Sequence, residues 1–209
     1  EKPHIVRKIS ELGHEIGSHG YWHRMVSLQS VTEFKEEVEA SKALLEDITC
    51  KKVRLFRAPS WSIGAKSLWA LDIIEELGFT CDSSIQPFVT PLSGMRGAPT
   101  FPFYPVINGR RLGIIEVPST VLKVGGLHVP FSGGLYLRVL PFSFISYALK
   151  RVNRNRPGMV YVHPWETDPE QPRICKTPIC RFTHYYNLKT TLHKLKNLIH
   201  SFEFFTLGE

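Results

Sequence analysis

The sequence predicts an α/β chain built around a parallel sheet, and three observations predict it. Short apolar runs alternate with amphipathic stretches through the first 82 residues, in the order strand, helix, strand, helix, strand. Polar residues suited to metal and proton chemistry stand where those strand-like runs end: His19 and His23, then Arg57, then Asp82. In a βα repeat, such strand ends converge on one face. The chain also has 209 residues, 43% of them hydrophobic and 22% charged, with no repeat and no low-complexity tract, which suits one large core.

The elements follow in order. Residues 3–12 read as the end of a helix, with Ile5, Ile9 and Leu12 on one face and Gly13 as C-cap. Glu15–Ser18 is a short buried strand that delivers His19 and His23. Ser30-Val31-Thr32-Glu33 is a capping box, and Phe34, Val38, Ser41, Leu45 and Ile48 repeat at helical spacing after it. Val53–Ala58 is a second strand stopped by Pro59. Lys66–Leu77 is a helix stopped by Gly78, and Phe79–Asp82 is a third strand. Residues 86–133 break the rhythm as an inserted, mostly β region, with Asn108-Gly109 marking a type I′ hairpin. A helix is expected over Leu140–Asn153 and a buried strand over Met159–His163. Asn187 is expected to cap a final helix carrying Leu188, Leu192, Leu195 and Ile199, with Phe202–Leu207 as a last strand.

Composition narrows the partners. The formal net charge is +7, but the basic residues are scattered and no aromatic–basic array suggests a nucleic-acid face. A mildly basic solvated surface is expected, with an acidic polysaccharide or a membrane surface as the other partners such a charge allows. No run of 18 apolar residues exists, so no membrane span is expected in the visible chain. The four cysteines, Cys50, Cys81, Cys175 and Cys180, include no CxxC. Cys175 and Cys180 are compatible with a disulfide or half a metal site, but reduced thiols and a cytoplasmic location are the expectation.

Ser18-His19-Gly20-Tyr21-Trp22-His23 places two imidazoles three residues apart on a turn, a common donor set for zinc and similar ions. Nine histidines in the chain make one such spacing a weak signal by itself. Arg57 alone could pair with a surface carboxylate, and Asp82 before Ser83-Ser84 could be a turn residue. His163, before Pro164-Trp165-Glu166, is carried to a loop rich in binding-type side chains. The joint pattern is what carries weight.

These residues resemble the NodB-like polysaccharide deacetylases, carbohydrate esterase family 4. His19 and His23 look like that family's paired-histidine metal motif, and Arg57-Ala58-Pro59-Ser60 like its Arg-x-Pro-Tyr motif, with Ser60 and Trp61 where an aromatic is commoner. Cys81-Asp82-Ser83-Ser84 resembles its later Asp motif, and Tyr161-Val162-His163-Pro164-Trp165-Glu166 its final Leu-x-His motif. The wording is most similar to the exopolysaccharide and exosortase-locus subfamily, whose members carry a DUF3473 region. Ser132-Gly133-Gly134, Tyr136, Arg138 and Arg181-Phe182-Thr183-His184-Tyr185 are similar to parts of it.

The resemblance implies a distorted (β/α)7-type barrel, formed here by one deacetylase domain over 1–209 with a subfamily extension from about 130 to 209. It implies a divalent metal, zinc above cobalt, nickel or manganese, held by His19 and His23. The family's first motif, a strand carrying the catalytic base and an acidic ligand, has no counterpart: no Asp precedes Asp47, and Glu1, Glu11 and Glu15 do not form it. The expectation is an N-terminally truncated deacetylase with an incomplete barrel. The implied reaction removes N-acetyl groups from an N-acetylated exopolysaccharide or its precursor. In it Arg57 positions the base, the backbone N–H near Ser60 holds the oxyanion, and His163, oriented by Asp82, protonates the amine. Trp22, Trp61, Trp165, Tyr136 and Arg138 are the expected substrate-binding residues. The rival readings are an inactive carbohydrate-binding relative and a hydrolase of small cyclic amides on the same scaffold.

Overall fold

A computed structural model of the chain describes residues 2–208, so Glu1 and Glu209 lie outside the described residues. The chain divides into two compact units, residues 1–119 with 205–209, and residues 120–204.

The first unit opens with α1 (Pro3–Glu11), which has proline in its first turn and ends before Gly13 at φ +88°. β1 (Gly17–Ser18) leads into α2 (Val31–Thr49), whose start is the expected capping box: the Ser30 side chain accepts from the Glu33 amide while Glu33 takes the Ser30 amide. β2 (Leu55–Phe56), α3 (Trp69–Glu76) and β3 (Cys81–Asp82) follow. The hairpin β4 (Val106–Ile107) and β5 (Arg110–Arg111) turns through Asn108 and Gly109, both at positive φ, as a type I′ turn requires. β6 (Ile115–Glu116) then returns to the main sheet.

That sheet is open and entirely parallel, in the order β1-β2-β3-β6. Among the described residues it has four short strands and closes no barrel, and α2 packs against α1 and α3. The core is apolar where the sequence periodicity places it: Phe34 and Val38 from α2, Phe56 from β2, Leu71 and Ile74 from α3, with Phe79, Leu112 and Ile114.

The second unit begins with an antiparallel pair, β7 (Val121–Val124) and β8 (Leu127–Pro130). Then come α4 (Gly134–Val139), α5 (Phe142–Val152), α6 (Pro178–Tyr185) and α7 (Thr191–Ser201). Its core gathers Leu122, Phe131, Leu137, Ile145, Leu149 and Leu198. The C-terminal carbonyls of α4 are met by one ammonium: Lys194 Nζ donates to Leu137, Arg138 and Leu140 at 2.9, 3.0 and 2.8 Å. Burial lowers the pKa of that lysine.

Four expectations are corrected here. The strand over Met159–His163 is reduced to one parallel bridge, Tyr161 with Gly133. Gly133 is required there, because a Cβ would lie 2.3 Å from the Tyr161 carbonyl oxygen. Phe202–Leu207 is irregular, with Phe204 and Phe205 exposed, so its apolar run finds no partner strand. Asn187 does not cap by its side chain, which donates instead to the Arg138 carbonyl at 2.9 Å. Cys175 and Cys180 form a disulfide, with Cys50 and Cys81 free, which removes the reduced-thiol argument for a cytoplasmic location. Among the described residues no helix is long and apolar enough to cross a membrane.

Candidate active site

Strand register places the candidate residues of the first unit. Ser18 pairs with Phe56, Phe56 with Asp82 and Asp82 with Glu116, so four strands end in one row. The next residues, His19, Arg57 and Ser83, therefore leave the same C-terminal edge of the sheet, the edge where βα units place chemistry.

His19 and His23 lie together, ring centroids 5.0 Å apart and edge to face. His19 Nδ1 donates to the Arg57 carbonyl at 2.6 Å, since a carbonyl can only accept. That bond fixes the tautomer and leaves Nε2 as the nitrogen bearing the lone pair, the arrangement a ligating histidine needs. The loop between the histidines is shaped by α2. Glu37, buried, accepts from the Tyr21 and Trp22 amides at 3.1 and 3.0 Å and from Arg24 Nε at 3.1 Å. Ser41, one turn further on, bonds Ser18 Oγ at 2.8 Å. Gly20 sits at φ +76° with Glu37 beside it, and a Cβ there would meet the carboxylate at 2.9 Å. Trp22 is left 70% exposed. Among the described residues, no third histidine, cysteine or carboxylate completes a ligand set with His19 and His23.

Arg57 is held through its side chain by Ser83: Nε donates to the carbonyl at 3.0 Å and Nη2 to Oγ at 2.9 Å. Its guanidinium also lies 4.6 Å over the Trp61 ring. Ser60 and Trp61 both adopt φ near +55°, strained backbone that recurs at functional turns. Trp61 N–H and Ser62 N–H turn inward onto the Ala58 and Pro59 carbonyls, both at 3.2 Å. Trp61 itself is buried and packs beneath the Arg57 guanidinium.

Asp82 has no exposed surface; its Oδ1 accepts from Ser84 Oγ at 2.6 Å. Burial pushes its pKa up, with bonds to Glu116 and Ser84 and the Arg57 charge pulling the other way. Glu116, equally buried, is raised well above the ordinary value by burial and by the neighbouring Asp82. Two buried carboxyls with one charge between them are the economical state. Glu116 was missed from sequence, although Ile114-Ile115-Glu116 repeats the apolar-then-acid ending seen at Cys81-Asp82. Glu37 was missed as well; its spacing from Phe34 and Ser41 puts it on the buried face of α2.

His163, Trp165, Tyr136 and Arg138 belong to the second unit. His163 is half exposed, and its Nδ1 donates to Glu166 Oε1 at 2.7 Å, so Glu166 holds the ring. Trp165 stacks on His163 with centroids 5.5 Å apart. Burial raises Glu166, but the bonds from His163 and the Arg138 charge outweigh it, and its pKa lies below the ordinary value. Arg138 is an internal tie in this unit. It is 1% exposed and donates to Glu166 at 2.8 Å and to the carbonyls of Thr183, His184 and Tyr186 at 2.5, 3.3 and 2.9 Å. Tyr136 is half buried, which raises its pKa.

The polysaccharide deacetylase family profile matches residues 1–81, and the domain of unknown function DUF3473 matches residues 83–209. Among solved structures, the fold is similar to PuuE allantoinase (14% identity, TM-score 0.57, 95% of this chain and 56% of that one). It is also similar to a probable polysaccharide deacetylase from Pseudomonas aeruginosa PAO1 (13%, TM-score 0.56, 95% and 56%). A Mycobacterium smegmatis structure assigned as a polysaccharide deacetylase matches at 17% identity and TM-score 0.52, over 78% of this chain and 54% of that one. The chain thus spans about half the length of the solved structures it matches. With more than half of its residues matched by the second profile, the chain belongs to the DUF3473 family, and its first 81 residues match the polysaccharide deacetylase profile.

Proposed function

We infer that the protein is a metal-dependent N-deacetylase acting on an N-acetylated polysaccharide or its precursor. The observation that carries the reading is the His19–His23 pair, with His19 locked through Nδ1 onto the Arg57 carbonyl. This is a two-nitrogen donor set with its outer partner in place, and the borderline ions zinc, cobalt and nickel suit it. Such an ion, when bound, supplies Lewis acidity to an acetamide carbonyl and lowers the pKa of water.

The side chains have distinct tasks. Glu37 and Ser41 keep the histidine loop in shape. Arg57, fixed by Ser83 and Trp61, presents a cation that orients an attacking group or a carboxylate. The Ser60 amide is the proposed oxyanion donor. His163 is the proposed acid for the departing amine: Glu166 holds Nδ1, leaving Nε2 to exchange the proton. The exposed Trp22 and the Trp165 face are the proposed sugar platforms.

The test is acetate release from N-acetylglucosamine oligomers by the full-length gene product with added zinc, beside a panel of small cyclic amides. Acetate from the oligomers, lost in His19→Ala, is expected. Turnover of the cyclic amides alone would overturn the polysaccharide reading.

A further inference from the structure

The second unit holds an open, mostly apolar cavity of about 490 Å3 lined by Arg173, Arg181, Phe182, Tyr185 and Tyr186. Small-ligand pockets run from about 300 to 1,000 Å3. Its walls are tied down. The Tyr185 hydroxyl accepts from the Ile174 and Cys175 amides at 2.8 and 3.0 Å, and the Cys175–Cys180 disulfide joins that loop to α6. Arg181 Nε donates to the Cys175 carbonyl at 3.2 Å and Arg173 Nη2 to the Pro169 carbonyl at 3.0 Å. Arg173 lies 4.3 Å over the Tyr185 ring, and Phe182 and Tyr186 pack at 4.9 Å.

A guanidinium carries five N–H donors, and these bonds use one on each arginine. Among the described residues neither arginine has a carboxylate within ion-pair distance. Two cations without acidic partners therefore line the cavity beside Phe182 and Tyr186, Arg173 lying over the Tyr185 ring. Aromatic faces suit the C–H face of a pyranose, and the planar guanidinium fork suits a carboxylate in two-point contact.

We propose that this cavity is a binding subsite for a carboxylated pyranose, a hexuronate residue of an acidic glycan. The net charge of +7 favours approach of such a polyanion. Inorganic phosphate offers the same oxygens to the arginines but no ring to cover Phe182 and Tyr186, and so separates anion binding from sugar binding. The subsite stands on the cavity alone. Where the deacetylase reading holds, it selects an acidic glycan as that substrate.

The test is calorimetric titration of trigalacturonate into the full-length protein at low salt, with amide chemical shifts locating the contact. Saturable binding is expected, with shifts confined to residues 173–186 and no comparable binding of neutral galactotriose or inorganic phosphate. Arg173→Ala with Arg181→Ala should weaken binding at least ~10-fold, and Tyr186→Ala should weaken it while the anion sites remain. Arg181→Lys, which keeps charge but not the fork, should fall between and guards against loss of fold. His19→Ala should bind trigalacturonate as the parent does, whatever it does to deacetylation. No binding by the parent, equal binding by the double variant, shifts elsewhere, or full displacement by equimolar phosphate would overturn the proposal.

Discussion

Asp82 and Glu116 stand directly opposite each other on neighbouring parallel strands, each without exposed surface. Burial raises both carboxyls, Glu116 further because Asp82 lies beside it. A raised carboxyl holds its proton longer folded than unfolded. The stability it lends is therefore complete at acid pH and fades as pH climbs through the folded pKa. Glu116→Gln should remove that loss. We expect a melting temperature above the parent's at pH 8, by roughly 2–4 °C for about 1 kcal/mol, and little difference at pH 4. A lower melting temperature at pH 8 would mean the pair is fully ionised and well compensated.

Glu37 holds the loop that carries the proposed metal-binding histidines. Its carboxylate holds the Tyr21 and Trp22 amides and Arg24. Glu37→Ala should weaken zinc binding by about 10–100-fold, the usual cost of losing an outer partner. Glu37→Gln, which keeps one acceptor oxygen, should recover part of it. Calorimetry with zinc measures both. Unchanged affinity in the alanine variant would show that the loop keeps its shape without α2.

Arg138 and Glu166 form a buried ion pair with three backbone carbonyls on the same guanidinium. Removing one member leaves a buried charge alone, so Arg138→Met should destabilise the fold by about 3–5 kcal/mol. Denaturant titration reads this directly. A folded, stable Arg138→Met with impaired sugar binding would restore the substrate role that burial argues against.

His163 and His23 are expected to fail differently. In the full-length enzyme, His163→Ala should keep metal while kcat for acetate release falls ~10²–10⁴-fold. His23→Ala should lose metal and activity together. Metal loss in His163→Ala would make His163 a ligand, and full activity would make its loop structural.

The sequence by itself settled the parallel strand–helix alternation, the capping box at Ser30, the Asn108-Gly109 hairpin and the strand-end positions of His19, Arg57 and Asp82. These are local signals: period, cap and turn chemistry act over a few residues, so they survive without knowledge of the fold. Only tertiary structure decided that Trp61 and Arg138 are buried supports, that Glu116 shares a row with Asp82, that Glu166 holds His163, and that Cys175 bonds Cys180. It likewise left Met159–His163 and Phe202–Leu207 outside any strand, because an apolar run becomes a strand only where a neighbouring edge supplies its hydrogen bonds. Partner choice and burial are set by residues tens of positions away, and no local pattern encodes which of those will arrive.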